Sequence, residues 1–201
     1  MVEIVNPLFF GILFVGFFIT LVTSLAIFFR QKARGSRELS FFLLTASLWA
    51  IFYFFEVMTK ETEWKTVLFY TKYLFISLLP VFFLMFSYEF TGIDRRTRII
   101  LHGVLSLILI VVLGIVWTNE LHGSFITEFE VYDHNGLGYL TFERAPLHYL
   151  IDSILISMVL MGSLILMRKA WKGNRDSKIH TTIILLAIWV PIGGIFLEIF
   201  E

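Results

Sequence analysis

Lysine and arginine fall in alternate gaps between long apolar runs in this 201-residue chain, and that alternation limits the fold more than any other feature. The six apolar runs are about Pro7–Phe29, Leu39–Met58, Val67–Phe90, Ile99–Trp117, Leu147–Met167 and Ile179–Phe200. A bilayer core about 30 Å thick needs roughly 20 apolar residues per helix. Within it, backbone N–H and C=O groups must be satisfied internally, which leaves only helices or closed barrels. Long runs without strict alternation select helices. The chain is 58% hydrophobic and only 16% charged, where soluble domains carry about a quarter charged residues. The expected fold is an all-α, polytopic transmembrane bundle of six helices, forming one membrane domain over residues 1–201.

Orientation follows from the cations. The first gap holds Arg30, Lys32, Arg34 and Arg37. The third holds Arg95, Arg96 and Arg98, and the fifth holds Arg168, Lys169, Lys172, Arg175 and Lys178. The other gaps hold only Lys60, Lys65 and Arg144. Cytoplasmic loops carry the excess of Lys and Arg, so the odd gaps are expected inside the cell and the N-terminus outside. The first apolar run lacks a basic leader and a small-residue cleavage site, so it reads as a retained helix of a cell-membrane protein.

One gap is long, about 118–145, and is expected to be extracellular. Phe129, Val131 and Tyr132 precede Asn135-Gly136, and Leu137, Tyr139, Leu140 and Phe142 follow. Asn-Gly between β-prone runs predicts a small β-hairpin between the fourth and fifth helices.

Ionisable groups inside a membrane are costly and usually face the bundle interior or water. Glu56, Lys72, Asp152 and Glu198 lie in or at the ends of four different runs, all in the expected outer half. His148 stands one turn from Asp152, and Trp49 and Tyr53 share a helical face with Glu56. Two readings stay open for this set. It could form an outward-facing pocket for a small ligand, or it could pair helices as a scaffold. Glu89, near the Arg95–Arg98 patch, reads as an interfacial ion pair. Pro80 and Pro191 fall mid-run, where proline removes a backbone hydrogen bond. Trp64, Trp117 and Trp171 fall where interfacial anchors are expected.

The sequence contains no cysteine, which removes thiolate catalysis, disulfides and cysteine metal sites. None of the five histidines has metal-ligand spacing. A phosphate-cradling glycine loop, a nucleophile elbow and a catalytic pair are all missing. No enzyme activity, cofactor or metal is expected. The short basic loops suit anionic lipid and do not suggest nucleic-acid binding.

Four segments carry a resemblance to a known family. They are Ala46–Glu56 (ASLWAIFYFFE), Lys72–Gly92 with its central Pro80 and terminal Tyr-x-x-Thr-Gly, Trp117–His122 (WTNELH), and the fifth run opening at ERAPLHYLID. In this order they resemble the N-terminal seven-helix sensor region of membrane histidine kinases from bacteria and archaea. The resemblance implies a sensor of an outer ligand or stimulus, a kinase or other output module as partner, and a homodimer. The chain departs from the family in showing six runs where the family has seven. It is therefore expected to be either the severed front of a longer protein or a stand-alone form without output, and not to phosphorylate anything itself. A transporter or channel subunit is the alternative, though the apolar helix centres weigh against it. A structural subunit of a larger membrane complex, docked through the acidic outer loop, is another.

Overall fold

The computed structural model describes residues 7–30, 33–134, 137–173, 178–179, 181–186 and 189. The elements are α1 (Pro7–Arg30), α2 (Ser36–Met58), α3 (Thr62–Thr91), α4 (Arg95–Trp117), the short α5 (Asn119–His122), β1 (Ile126–His134), β2 (Leu137–Arg144) and α6 (Pro146–Lys172). Five of these helices are long and apolar enough to cross a membrane: α1 (from Gly11), α2, α3, α4 and α6. The expected sixth run, 179–200, lies largely outside the described residues; those that are described, 179, 181–186 and 189, are helical.

The bundle is built around α3. Of its most apolar stretch 44% is buried, against 6% for α1. It packs against α2, α4 and α6, while α1 packs on α2. Each level of the core takes residues from α3. Phe69, Tyr70 and Tyr73 join Val112, Val116, Ile151 and Leu155 at one end. Val81 and Leu84 meet Leu105 and Met158 in the middle. Phe83 and Phe86 meet Leu166 at the other end. The outer faces of α1, α4 and α6 are apolar and exposed, for example Val22, Leu107, Ile110 and Leu164, as lipid-facing helices require.

Helix contacts in lipid gain little from hydrophobicity and depend on close approach and hydrogen bonds. Both occur here. Ser24 and Ser40 clasp α1 to α2, each hydroxyl donating to the other's carbonyl at 2.8 and 2.9 Å. Gly162 on α6 lies so close to α3 that an added Cβ would stand 2.8 Å from Phe83 Cε1. Pro80 is buried within α3, and the helix continues through it from Thr62 to Thr91. Pro191 lies outside the described residues. Trp189 Nε1 donates to Ser163 Oγ at 3.0 Å, which sets that part of the sixth run against α6.

The turn between α3 and α4 is tightly specified. Gly92 ends α3 in the left-handed region (φ 81°), with its N–H shared between the Tyr88 and Glu89 carbonyls. Glycine takes that conformation at no steric cost. Asp94 then caps α4, accepting from the Thr97 N–H and hydroxyl at 3.0 and 2.7 Å. Those bonds hold its carboxyl below the usual carboxylate range. Glu89 lies 3.5 Å from Arg98 Nε across the same turn.

β1 and β2 form an antiparallel pair, with Phe129 opposite Phe142 and a register irregularity between Ile126 and Phe129. The Asn135-Gly136 turn itself is outside the described residues. Side chains alternate as in any strand. Phe129 and Phe142 turn inward, their ring centroids 5.6 and 5.2 Å from that of Phe69, while Glu128, Glu130 and Glu143 are exposed. Three aromatic rings thus seat the sheet on α3.

Replacing Gly162 with leucine is expected to lower stability by about 1–3 kcal/mol through overpacking against Phe83. Thermal unfolding in detergent reads this, and unchanged stability would show that α3 and α6 are not in close contact.

Candidate functional site

Lys72 and Tyr73 are neighbours in sequence, so about 100° of helix rotation separates them. They consequently address different partners. Lys72 Nζ lies 2.5 Å from Glu56 Oε2 on α2, with both side chains largely buried. Tyr73 points to α6, where its hydroxyl donates to Asp152 Oδ1 at 3.0 Å. The positions expected to form one group thus fall on two sides of α3, bridged by Phe69. The Phe69 ring centroid is 5.2 Å from the Lys72 ammonium and 6.1 Å from the Tyr73 ring.

On the α2 side the aromatic wall is present. Trp49 and Tyr53, one helical turn apart, stack nearly parallel with centroids 5.9 Å apart. Lys72 Nζ sits 5.0 Å from the Tyr53 ring centre, close enough for cation–π attraction. Trp49 Nε1 is buried without an acceptor among the described residues.

Lys65 corrects the sequence reading, which left it in a loop. The structure begins α3 at Thr62, and Lys65 is fully buried. Its ammonium donates to the Glu56 carbonyl at 2.5 Å. Hydropathy falls at charged residues, so the apolar run ends before the helix does. The carbonyl end of α2 carries partial negative charge, and a cation there is favoured.

On the α6 side, His148 Nε2 lies 3.3 Å from Asp152 Oδ2, as i, i+4 spacing allows. The His148 ring is 4% exposed and stacks on Phe125 at 4.5 Å. Tyr73 meets Phe125 edge-on at 4.9 Å. His148 Nδ1 has no partner among the described residues. Asp152 remains partly open to its surroundings, with 37% of its side chain exposed.

Phe125 is held by Asn119, an uncharged residue at the start of α5. Asn119 Oδ1 accepts from the Phe125 and Ile126 N–H groups at 2.9 and 3.1 Å, and its Nδ2 donates to the Ile126 carbonyl at 2.9 Å. These bonds satisfy backbone that would otherwise be buried unpaired. His122 closes the same corner by accepting from the Ser124 N–H at 2.9 Å. The signal for Asn119 lay in the WTNELH segment, and Tyr73 shares a face with Phe69 by i, i+4 spacing. Glu198 lies outside the described residues.

This polar assembly is packed with rings. Two concavities of about 460 and 590 Å³ lie at the opposite, basic end of the helices, one against Trp171 and Trp189 and the other against Arg168 and Lys172.

A family model described as the N-terminal 7TM region of histidine kinase matches residues 12–201, almost the whole chain. The chain belongs to that family. No curated protein and no solved structure matches it. This 7TM region is the non-catalytic, membrane-embedded front of a histidine kinase, which agrees with the apolar helices. Membership makes the chain a multi-pass membrane protein of the sensor type.

Removing one partner of a buried ion pair leaves the other charge stranded, at about 3–5 kcal/mol. Lys72→Met is expected to cost on that scale in thermal unfolding, and Lys72→Met with Glu56→Gln to recover part of it. Strict additivity of the two single changes would show that the pair is not coupled.

Proposed function

We propose that the chain senses a small ligand at the hairpin end of the bundle, outside the cell. The polar contacts on either side of Lys72 and Tyr73 would be the sensing element. The observation that carries this reading is that adjacent residues of the central helix tie it to α2 through Glu56 and to α6 through Asp152. A ligand that competes for either carboxylate changes how α3 sits between its neighbours. Because α3 contributes to the core at every level, that change is felt at the far end. There a kinase or other output module would read it. The ligand's own groups would replace Tyr73 and His148 at Asp152, the more exposed of the two carboxylates.

The outside placement of the hairpin is supported by the cations at the other end, Arg30, Arg34, Arg37, Arg95, Arg96, Arg98, Arg168, Lys169 and Lys172. The absence of native cysteine makes this directly measurable. In intact cells, a membrane-impermeant maleimide should label a cysteine placed at Glu143 and leave one at Arg96 untouched. The reverse pattern would invert the topology and remove the proposal.

Sensing itself is tested by thermal shift of the purified chain against a panel of small water-soluble metabolites. A stabilising compound is expected to lose at least about tenfold in apparent affinity, roughly the cost of one charged hydrogen bond, in Glu56→Gln or Asp152→Asn. A compound that stabilises both variants as well as the parent chain would place sensing elsewhere.

A further inference from the structure

The larger concavity, about 590 Å³, opens between the basic ends of α3 and α6. Ile165, Arg168, Lys169 and Lys172 line it from α6, a spacing that puts them on one face. Tyr88, Thr91 and Ile93 line the other wall. Three cations therefore face a cleft that has no carboxylate in its lining among the described residues. The acids adjacent in sequence to the lining, Glu89 and Asp94, are turned to Arg98 and to the Thr97 N–H and hydroxyl respectively.

The cations do not play equal parts. The Lys169 ammonium donates to the Phe90 carbonyl and sits 3.9 Å from the Phe90 ring centre, so it ties α6 to the end of α3. Arg168 and Lys172 are exposed, stand one turn apart, and have no acidic partner among the described residues. The Tyr88 hydroxyl donates only to Met161 Sδ, at 3.9 Å, a weak acceptor that an anion would displace.

The cleft also continues into an apolar flank. Met161 and Leu164, one turn toward the bundle centre from Ile165 and Arg168, are 48% and 61% exposed. A free anion would gain nothing from that flank, whereas a lipid would lay its chains along it. We propose that this cleft binds the phosphodiester headgroup of an anionic phospholipid. Arg168 and Lys172 hold the phosphate, Tyr88 donates to it, and the acyl chains run along Met161 and Leu164. Arginine presents a fork of donors matched to phosphate, and lysine adds a point charge. Basic clefts between helix ends are a recurring site for such headgroups. The lipid would bridge α3 and α6 beside the Lys169–Phe90 contact, and its occupancy would tune how those two ends sit together.

The test is native mass spectrometry of the purified chain in detergent with equal amounts of phosphatidylglycerol and phosphatidylcholine. We expect a preference for phosphatidylglycerol of roughly thirtyfold, the scale set by two cations at a membrane surface. Arg168→Gln with Lys172→Gln should abolish it, and Arg168→Lys with Lys172→Arg should keep most of it. Arg95→Gln with Arg96→Gln removes equal charge from the same end of the bundle and should leave the preference in place. Equal loss in the Arg95/Arg96 variant would mean diffuse surface attraction and overturn the site. So would competition by glycerol phosphate as effective as that of the lipid, which would make it a free-anion site. Absence of any preference in the parent chain would overturn it outright. Matching thermal unfolding of all variants confirms that each is folded.

Discussion

Adjacent residues of one helix point about 100° apart, and the bundle is arranged around that divergence at Lys72 and Tyr73. Lys72 looks to α2 and Tyr73 to α6. Polar contacts within a membrane-spanning helix are costly to leave unpaired, so both must be met. Meeting both fixes the rotation of α3 and the level of its two neighbours. The aromatic rings then follow. Phe69 fills the space between the two contacts, and Phe129 and Phe142 of the sheet close over Phe69. Asn119 and His148 hold Phe125 in the same layer.

The opposite end is organised by a different logic. There the charges are many and mostly solvated, and backbone groups determine the order. Gly92 stops α3, Asp94 starts α4, and Lys169 reaches from α6 to the Phe90 carbonyl at the end of α3. Surface cations of this kind add little stability singly. Their value lies in orienting the bundle and in meeting phosphate. Between the two ends the described interior is mostly apolar, with buried hydroxyls such as Thr45, Ser47, Ser77 and Ser87 bonded back to carbonyls of their own helices, and a close approach at Gly162.

Much of this was legible in the sequence. Apolar runs of membrane length give helices because lipid leaves the backbone no other choice. The antiparallel pairing of residues 126–144 follows from alternation around Asn135-Gly136. Glu56 with Lys72 and His148 with Asp152 were visible as charges at one level, and the second pair as one helical turn. Their division between two faces of α3 was not visible, because it depends on which helices lie to either side, and apolar runs do not encode their neighbours. Lys65 was hidden because a buried lysine and a loop lysine read alike by hydropathy. Asn119 stood within the WTNELH segment, but its role of satisfying the backbone at Phe125 and Ile126 depends on where the chain turns, which the segment alone does not show.

In the sensing proposed above, the contacts at the hairpin end would govern how α3 and α6 meet at the basic end. The direct measurement is the distance between spin labels attached to cysteines placed at Arg95 and Trp171, both exposed and beside the ends of those helices. It is made in the otherwise cysteine-free chain, with and without Glu56→Gln and Asp152→Asn. A shifted or broadened distance distribution in the double variant is the predicted result. A distribution identical to that of the parent chain, in a variant that is folded and inserted, would contradict the coupling.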